Sequence, residues 1–172
     1  MGEKKQMNED EFLDLSENAR FGEEFQRLDP MLKKIAGTAG YFSFHILGEK
    51  LKAHSIYRKE GTIKGETGIH SQFRAIDFKL LSKPELTMCL IRAINQLFVY
   101  DSRVIDTPEI FKAEELQKRQ GMFVAHPNPF HGSGAHIHLQ SHPNTVFMTK
   151  HLTVDLLALY GKESANFASV KA

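Results

Sequence analysis

The sequence predicts an α+β fold: a central antiparallel β-sheet with flanking helices. Three observations carry that expectation. Segments with helical apolar spacing are mixed irregularly with short stretches rich in β-branched and aromatic residues. The regular strand–helix alternation of a parallel sheet is missing. A length of 172 residues suits one domain around a single core.

Taken in order, residues 1–18 are polar and acidic and read as an arm, loosely ordered or docking late, with a short helix around Phe12, Leu13 and Leu15. Residues 19–172 form the domain. Asp29 is an N-cap followed by Pro30 at the first helical position. Met31, Leu32, Ile35 and Ala36 then share one face of a helix that Gly37 or Gly40 ends. YFSFHIL (41–47) and AHSIYR (53–58) are strand-like, and KEGTIKGETG (59–68) is a loop by its glycines. RAIDFKLL (74–81) is the next strand, after which Ser82 and Glu85 have capping-box spacing. Leu86, Leu90, Ala93, Ile94 and Leu97 recur with the helical period behind it. Thr107, Pro108 and Glu109 start a short helix through FKAEELQKR, and GMFVAH and AHIHLQ are strands joined by the loop PNPFHGSG. A final helix over about 146–160 turns Met148, Leu152, Leu156 and Leu159 inward and stops at Gly161.

Composition narrows the function. Lys and Arg total 22 against 21 Asp and Glu, so charge offers no case for a nucleic-acid partner. The single cysteine, Cys89, lies in the apolar run TMCLIRAI and reads as a buried, inert thiol. No stretch reaches the length of a membrane span, and MGEKKQMNEDEFLDL lacks the apolar core of a secretory signal. The expectation is a soluble monomer, cytoplasmic as synthesised.

Chemistry can come from a split set of metal-ligand residues: His70 and Asp77 in GIHSQFRAIDF, and His136 and His138 in GAHIHLQ. Extended chain from His70 to Asp77 spans roughly 23 Å, whereas ligands of one zinc place their donors about 3–4 Å apart, so the chain must fold back between them. In AHIHLQ the two-residue period of a strand puts both histidines on one face and Ile137 on the other.

HSQFRAID resembles the signature H-x-x-G-x-A-x-D of the LAS zinc peptidases, the family named for lysostaphin, D-Ala-D-Ala carboxypeptidase and sonic hedgehog. His70, Ala75 and Asp77 fall on its His, Ala and Asp. SIYR (55–58) matches an upstream strand ending in arginine, and HIH matches the downstream H-x-H element of the murein endopeptidase branch. Phe73 stands in place of the family's glycine, Gly68 in place of a serine, and Ala135 where other members carry glutamate.

The resemblance implies a hedgehog/DD-peptidase-like fold in which Zn²⁺ is held by His70, Asp77 and His138. It implies His136 as proton handler and Arg58 as the group that stabilises an oxyanion or holds a substrate carboxylate. His131, in HGSG just before the site strand, is the candidate for substrate binding. The implied function is hydrolysis of peptidoglycan peptides, as a D-Ala-D-Ala carboxypeptidase or a cell-wall endopeptidase, with metal-activated water. Such an enzyme suits a phage lysin released by a separate pore, or one carried on a virion.

Two alternatives stay open. If His136 also ligates, the site closes and the chain is a non-catalytic, zinc-stabilised binding or virion structural module. A non-haem iron oxygenase also uses two histidines and a carboxylate, but its carboxylate follows the first histidine more closely than Asp77 follows His70. His126 and His142 line a cleft or are solvent-exposed. His45 and His54 read as core or edge histidines, and amphipathic spacing accounts for Glu109, Glu114 and Glu115.

Overall fold

Asp29 starts the best-defined helix as its side chain predicts, accepting the Leu32 amide at 3.2 Å while Pro30 takes the first turn. The computed structural model describes residues 8–59, 68–100, 113–128 and 134–147. Its elements are β1 (Leu13–Asp14), α1 (Phe21–Gln26), α2 (Pro30–Phe42), β2 (Leu51–Ser55), β3 (Ala75–Lys79), α3 (Pro84–Leu97), β4 (Phe98–Val99), α4 (Ala113–Lys118), β5 (Ala125–Asn128), β6 (His136–Gln140) and β7 (Val146–Phe147). The fold is α+β, as expected, with helices flanking a central sheet of order β1-β2-β3-β6-β5. All of its pairs are antiparallel except β1 with β2.

Strand parity separates two faces. Ile76 pairs with Leu139, and Phe78 with Ile137. These four join Leu32, Ile35, Leu90 and Ile94 of α2 and α3 in one core cluster, so the helices cover that face. The opposite face carries Asp77, paired with His138, and Lys79, paired with His136. Lys79 is exposed, but the other polar side chains there are buried: Asp77 is 0 % exposed and His136 1 %. Buried polar groups demand partners, and that demand identifies the site.

Several expectations change. The segment around Phe12 to Leu15 forms the edge strand β1, pairing Leu13 with Leu51, and no helix. Gly37 and Gly40 do not end α2. They sit inside it where the N-terminal segment presses close, since a Cβ on Gly40 would stand 2.6 Å from Leu13 Cδ2 and one on Gly37 2.9 Å from the Glu9 carbonyl. YFSFHIL is therefore not a strand: α2 runs through Phe42 into a π-helical turn, Ser43–Leu47, that Gly48 closes at φ 78°. His45 there belongs to an exposed aromatic group with Phe12, Tyr41 and Phe44, not to a core or sheet edge.

Ser82 does not cap α3. Its amide and hydroxyl both donate to the Glu49 carboxylate, a stronger acceptor than the helix offers, and Lys83 takes the cap position. Val146 and Phe147, expected to open the last helix, pair as β7 with β4. The Thr107–Glu109 start signal, His131, the 60–67 loop and the remainder of the final helix lie outside the described residues. Among the described residues no helix is long and apolar enough to cross a membrane. Cys89 is buried, as expected.

Candidate metal centre

The spacing from His70 to Asp77 requires a reversal, and two left-handed residues supply it. Gly68 (φ 72°) and Phe73 (φ 55°) bracket a tight turn in which the Phe73 amide donates to His70 O and the Arg74 amide to Ile69 O, each at 3.1 Å. A bulky residue at positive φ is strained. Here the Asp29 amide holds the Phe73 carbonyl at 2.9 Å, and the ring lies between the Arg27 guanidinium and Tyr57. The turn feeds β3, which delivers Asp77 onto the polar face.

Cross-strand pairing does the rest. Asp77 on β3 faces His138 on β6, and His138 Nδ1 meets Asp77 Oδ1 at 2.7 Å. His70 Nε2 lies 3.4 Å from the same oxygen. Donor atoms of His70, Asp77 and His138 all fall within 4.8 Å of one another, and all three residues are buried. His136 Nε2 stands 3.6 Å from Asp77 Oδ1, and Arg58 Nη2 lies 3.2 Å from Asp77 Oδ2. The structure thus brings together His70, Asp77, His138, His136 and Arg58. Arg58 faces the ligand carboxylate itself.

Hydrogen bonding decides what the nitrogens can do. His70 Nδ1 lies 2.8 Å from the Ile56 carbonyl, which only accepts, so this nitrogen carries the proton. His70 Nε2 is buried without a hydrogen-bond partner, 3.4 Å from a carboxylate oxygen, and in the neutral ring it offers its lone pair there. His136 repeats the arrangement, with Nδ1 donating to Gly134 O at 2.8 Å and Nε2 turned towards Asp77. Lone pairs converging on an acceptor repel unless a cation sits among them. One carboxylate and imidazoles at neutral tautomer form the donor set that zinc-type ions take, and the residues present fit such an ion.

Electrostatics agree. Burial pushes the Asp77 carboxyl up, but the imidazoles of His138 and His70 outweigh it and hold it well below the ordinary carboxylate range. Burial lowers His136, against the opposing pull of Asp77 and of the Gly134 carbonyl. At neutral pH Asp77 is therefore an anion and His136 a neutral ring.

Two more histidines stand at the cluster. His126 on β5 pairs with His138, is 4 % exposed, and stacks its ring at 4.7 Å. Only the pairing of GMFVAH with AHIHLQ could have placed it there, since a strand and its neighbour share a face at paired positions. His54 sits at the β2 irregularity between Ala53 and Ser55, its ring 6.0 Å from His136, and a bulge cannot be read from spacing. His142 stacks on Tyr100 instead.

No family model, curated protein or solved structure matches the chain.

Proposed function

We propose that the chain is a zinc-dependent peptidase of the LAS type, hydrolysing peptide bonds of peptidoglycan as a D-Ala-D-Ala carboxypeptidase or a cell-wall endopeptidase. The observation that carries this reading is the convergence of His70 Nε2, Asp77 Oδ1 and His138 Nδ1, one of them a buried nitrogen with no hydrogen-bond partner. It rests too on the ordered likeness of SIYR, HSQFRAID and HIH to the family's elements. Phe73 stands where that signature has glycine, and its φ of 55° is one that glycine adopts freely.

When bound, zinc supplies Lewis acidity that acidifies a water molecule and polarises a carbonyl. His70, Asp77 and His138 would hold it. His136, with Nδ1 tied to Gly134 O, keeps Nε2 available to take a proton from the attacking water and pass it to the leaving amine. Arg58 brings positive charge to the second oxygen of Asp77 and would stabilise negative charge developing on a substrate carbonyl oxygen.

One observation favours a second reading. His136 is 1 % exposed and its Nε2 is only 3.6 Å from the shared oxygen, a placement that also suits a fourth ligand in a closed, structural zinc site. Metal content and peptide release from purified cell walls separate the two. His138→Ala is expected to lose both. His136→Ala keeps its zinc and loses release if the enzyme reading holds, and loses zinc if the site is closed. Full release by His138→Ala contradicts both.

A further inference from the structure

His70 and His136 each have their second nitrogen tied to a backbone carbonyl, Ile56 O and Gly134 O, which fixes the ring. His138 has no such tie. Among the described residues its one side-chain hydrogen bond runs from Nδ1 to Asp77 Oδ1. A metal held by Asp77 Oδ1 and His138 Nδ1 would displace that bond, so the bond would not orient the ring in the loaded site. The ring torsion of histidine is broad and easily turned. Something else must hold it.

What lies against His138 is two rings. His70 meets it edge-on with centroids 5.3 Å apart, and His126 lies nearly parallel, 30° between planes, at 4.7 Å. His126 is in turn anchored. Its Nδ1 donates to Pro127 O at 3.3 Å. The residue before it, Ala125, is clamped by Asn95 of α3, whose Nδ2 donates to Ala125 O at 2.7 Å and whose Oδ1 accepts the Ala125 amide at 2.9 Å. His70, Asn95, Ala125, His126 and His138 are all buried.

We propose that His126, anchored to α3 through Asn95, is a positioning residue that sets the His138 ring for metal binding. The inference rests on the metal-site reading above. It extends the site from the polar face of β3 and β6 onto β5, and gives a role to a buried imidazole that ligates nothing. The support is geometric: a flat ring packs against a flat ring.

The test is zinc affinity of the full chain, freed of metal and titrated against a chromophoric chelator, for the native protein, His126→Phe and His126→Leu. Phe keeps a flat ring and Leu fills the space without one. Leu is expected to weaken zinc about tenfold or more and Phe about threefold or less, the range typical of groups that orient a ligand. Native-like zinc affinity in His126→Leu, even with a lowered melting temperature, means the ring is packing only and overturns the proposal. So does equal weakening in Leu and Phe, which would assign the effect to the ring nitrogens. Should His126→Leu not fold, Asn95→Ser carries the test: several-fold weaker zinc supports the anchor and unchanged zinc overturns it. Native chain that takes up no zinc removes the metal reading itself, and this inference with it.

Discussion

Asp77 is where opposing forces meet most sharply. Burial favours its neutral form, yet the facing imidazoles of His138 and His70 keep it ionised, so the folded chain holds a buried anion with Arg58 beside it as a cationic partner. His126 shows the converse, a base kept neutral at about 3 by burial. The unfolded chain binds that proton below about 6.5, so between those two values it holds more protons than the folded chain and stability falls as pH falls. In metal-free protein the urea midpoint is expected to drop from pH 7 to pH 5, His126 alone contributing up to about 1.4 kcal/mol per unit. His126→Phe should show a shallower drop, and an unchanged slope would contradict the assignment. Phe73 makes a prediction of a different kind. Both Phe73→Gly and Phe73→Ala lose the contacts to Arg27 and Tyr57, but only glycine relaxes φ 55°. Gly is expected to be more stable than Ala by about 1 kcal/mol in urea denaturation. An Ala variant as stable as Gly would show that the turn is not held as described.

At the scale of elements, α2 is set by residues readable in advance and by contacts that are not. Asp29 and Pro30 announce its start, and Leu32, Ile35 and Ala36 its buried face. The glycine within it at position 40 answers to Leu13, twenty-seven residues earlier, which presses against the helix backbone. Gly40→Ala should cost about 1–3 kcal/mol by overpacking, whereas Gly22→Ala in α1, where a Cβ meets nothing within 4 Å, should be neutral or slightly stabilising. Thermal unfolding of the two variants checks the contrast, and equal effects would mean that the N-terminal segment does not pack on α2. The aromatic run at 41–47 misled for a related reason. Aromatic content marks a strand only if the residues are half-buried on a sheet, and Tyr41, Phe44 and Ile46 face outward from a helical turn. Ser82 likewise has the spacing of a cap, but Glu49 of a distant segment captures it.

Across the whole molecule, the candidate site is a row of side chains on one sheet face, Ser55, Asp77, His138 and His126 at paired positions on four strands. Parity within AHIHLQ and RAIDF was legible from spacing alone, which is why His136, His138 and Asp77 could be named. His126 read only as a cleft or exposed histidine and His54 only as a core or edge one, because strand pairing brings the first to the row and a bulge the second to His136, and local sequence specifies neither. Since the metal would tie β3, β6 and the 68–73 turn together and bind only the folded chain, zinc should raise stability by mass action, about 2.7 kcal/mol at one hundred times its dissociation constant. The most direct test of the site is a zinc titration of the metal-free chain followed by thermal unfolding, with Asp77→Asn alongside. The account predicts a rise in melting temperature that saturates with one zinc per native chain and is absent in Asp77→Asn. No rise in the native chain, or an equal rise in the variant, would contradict it.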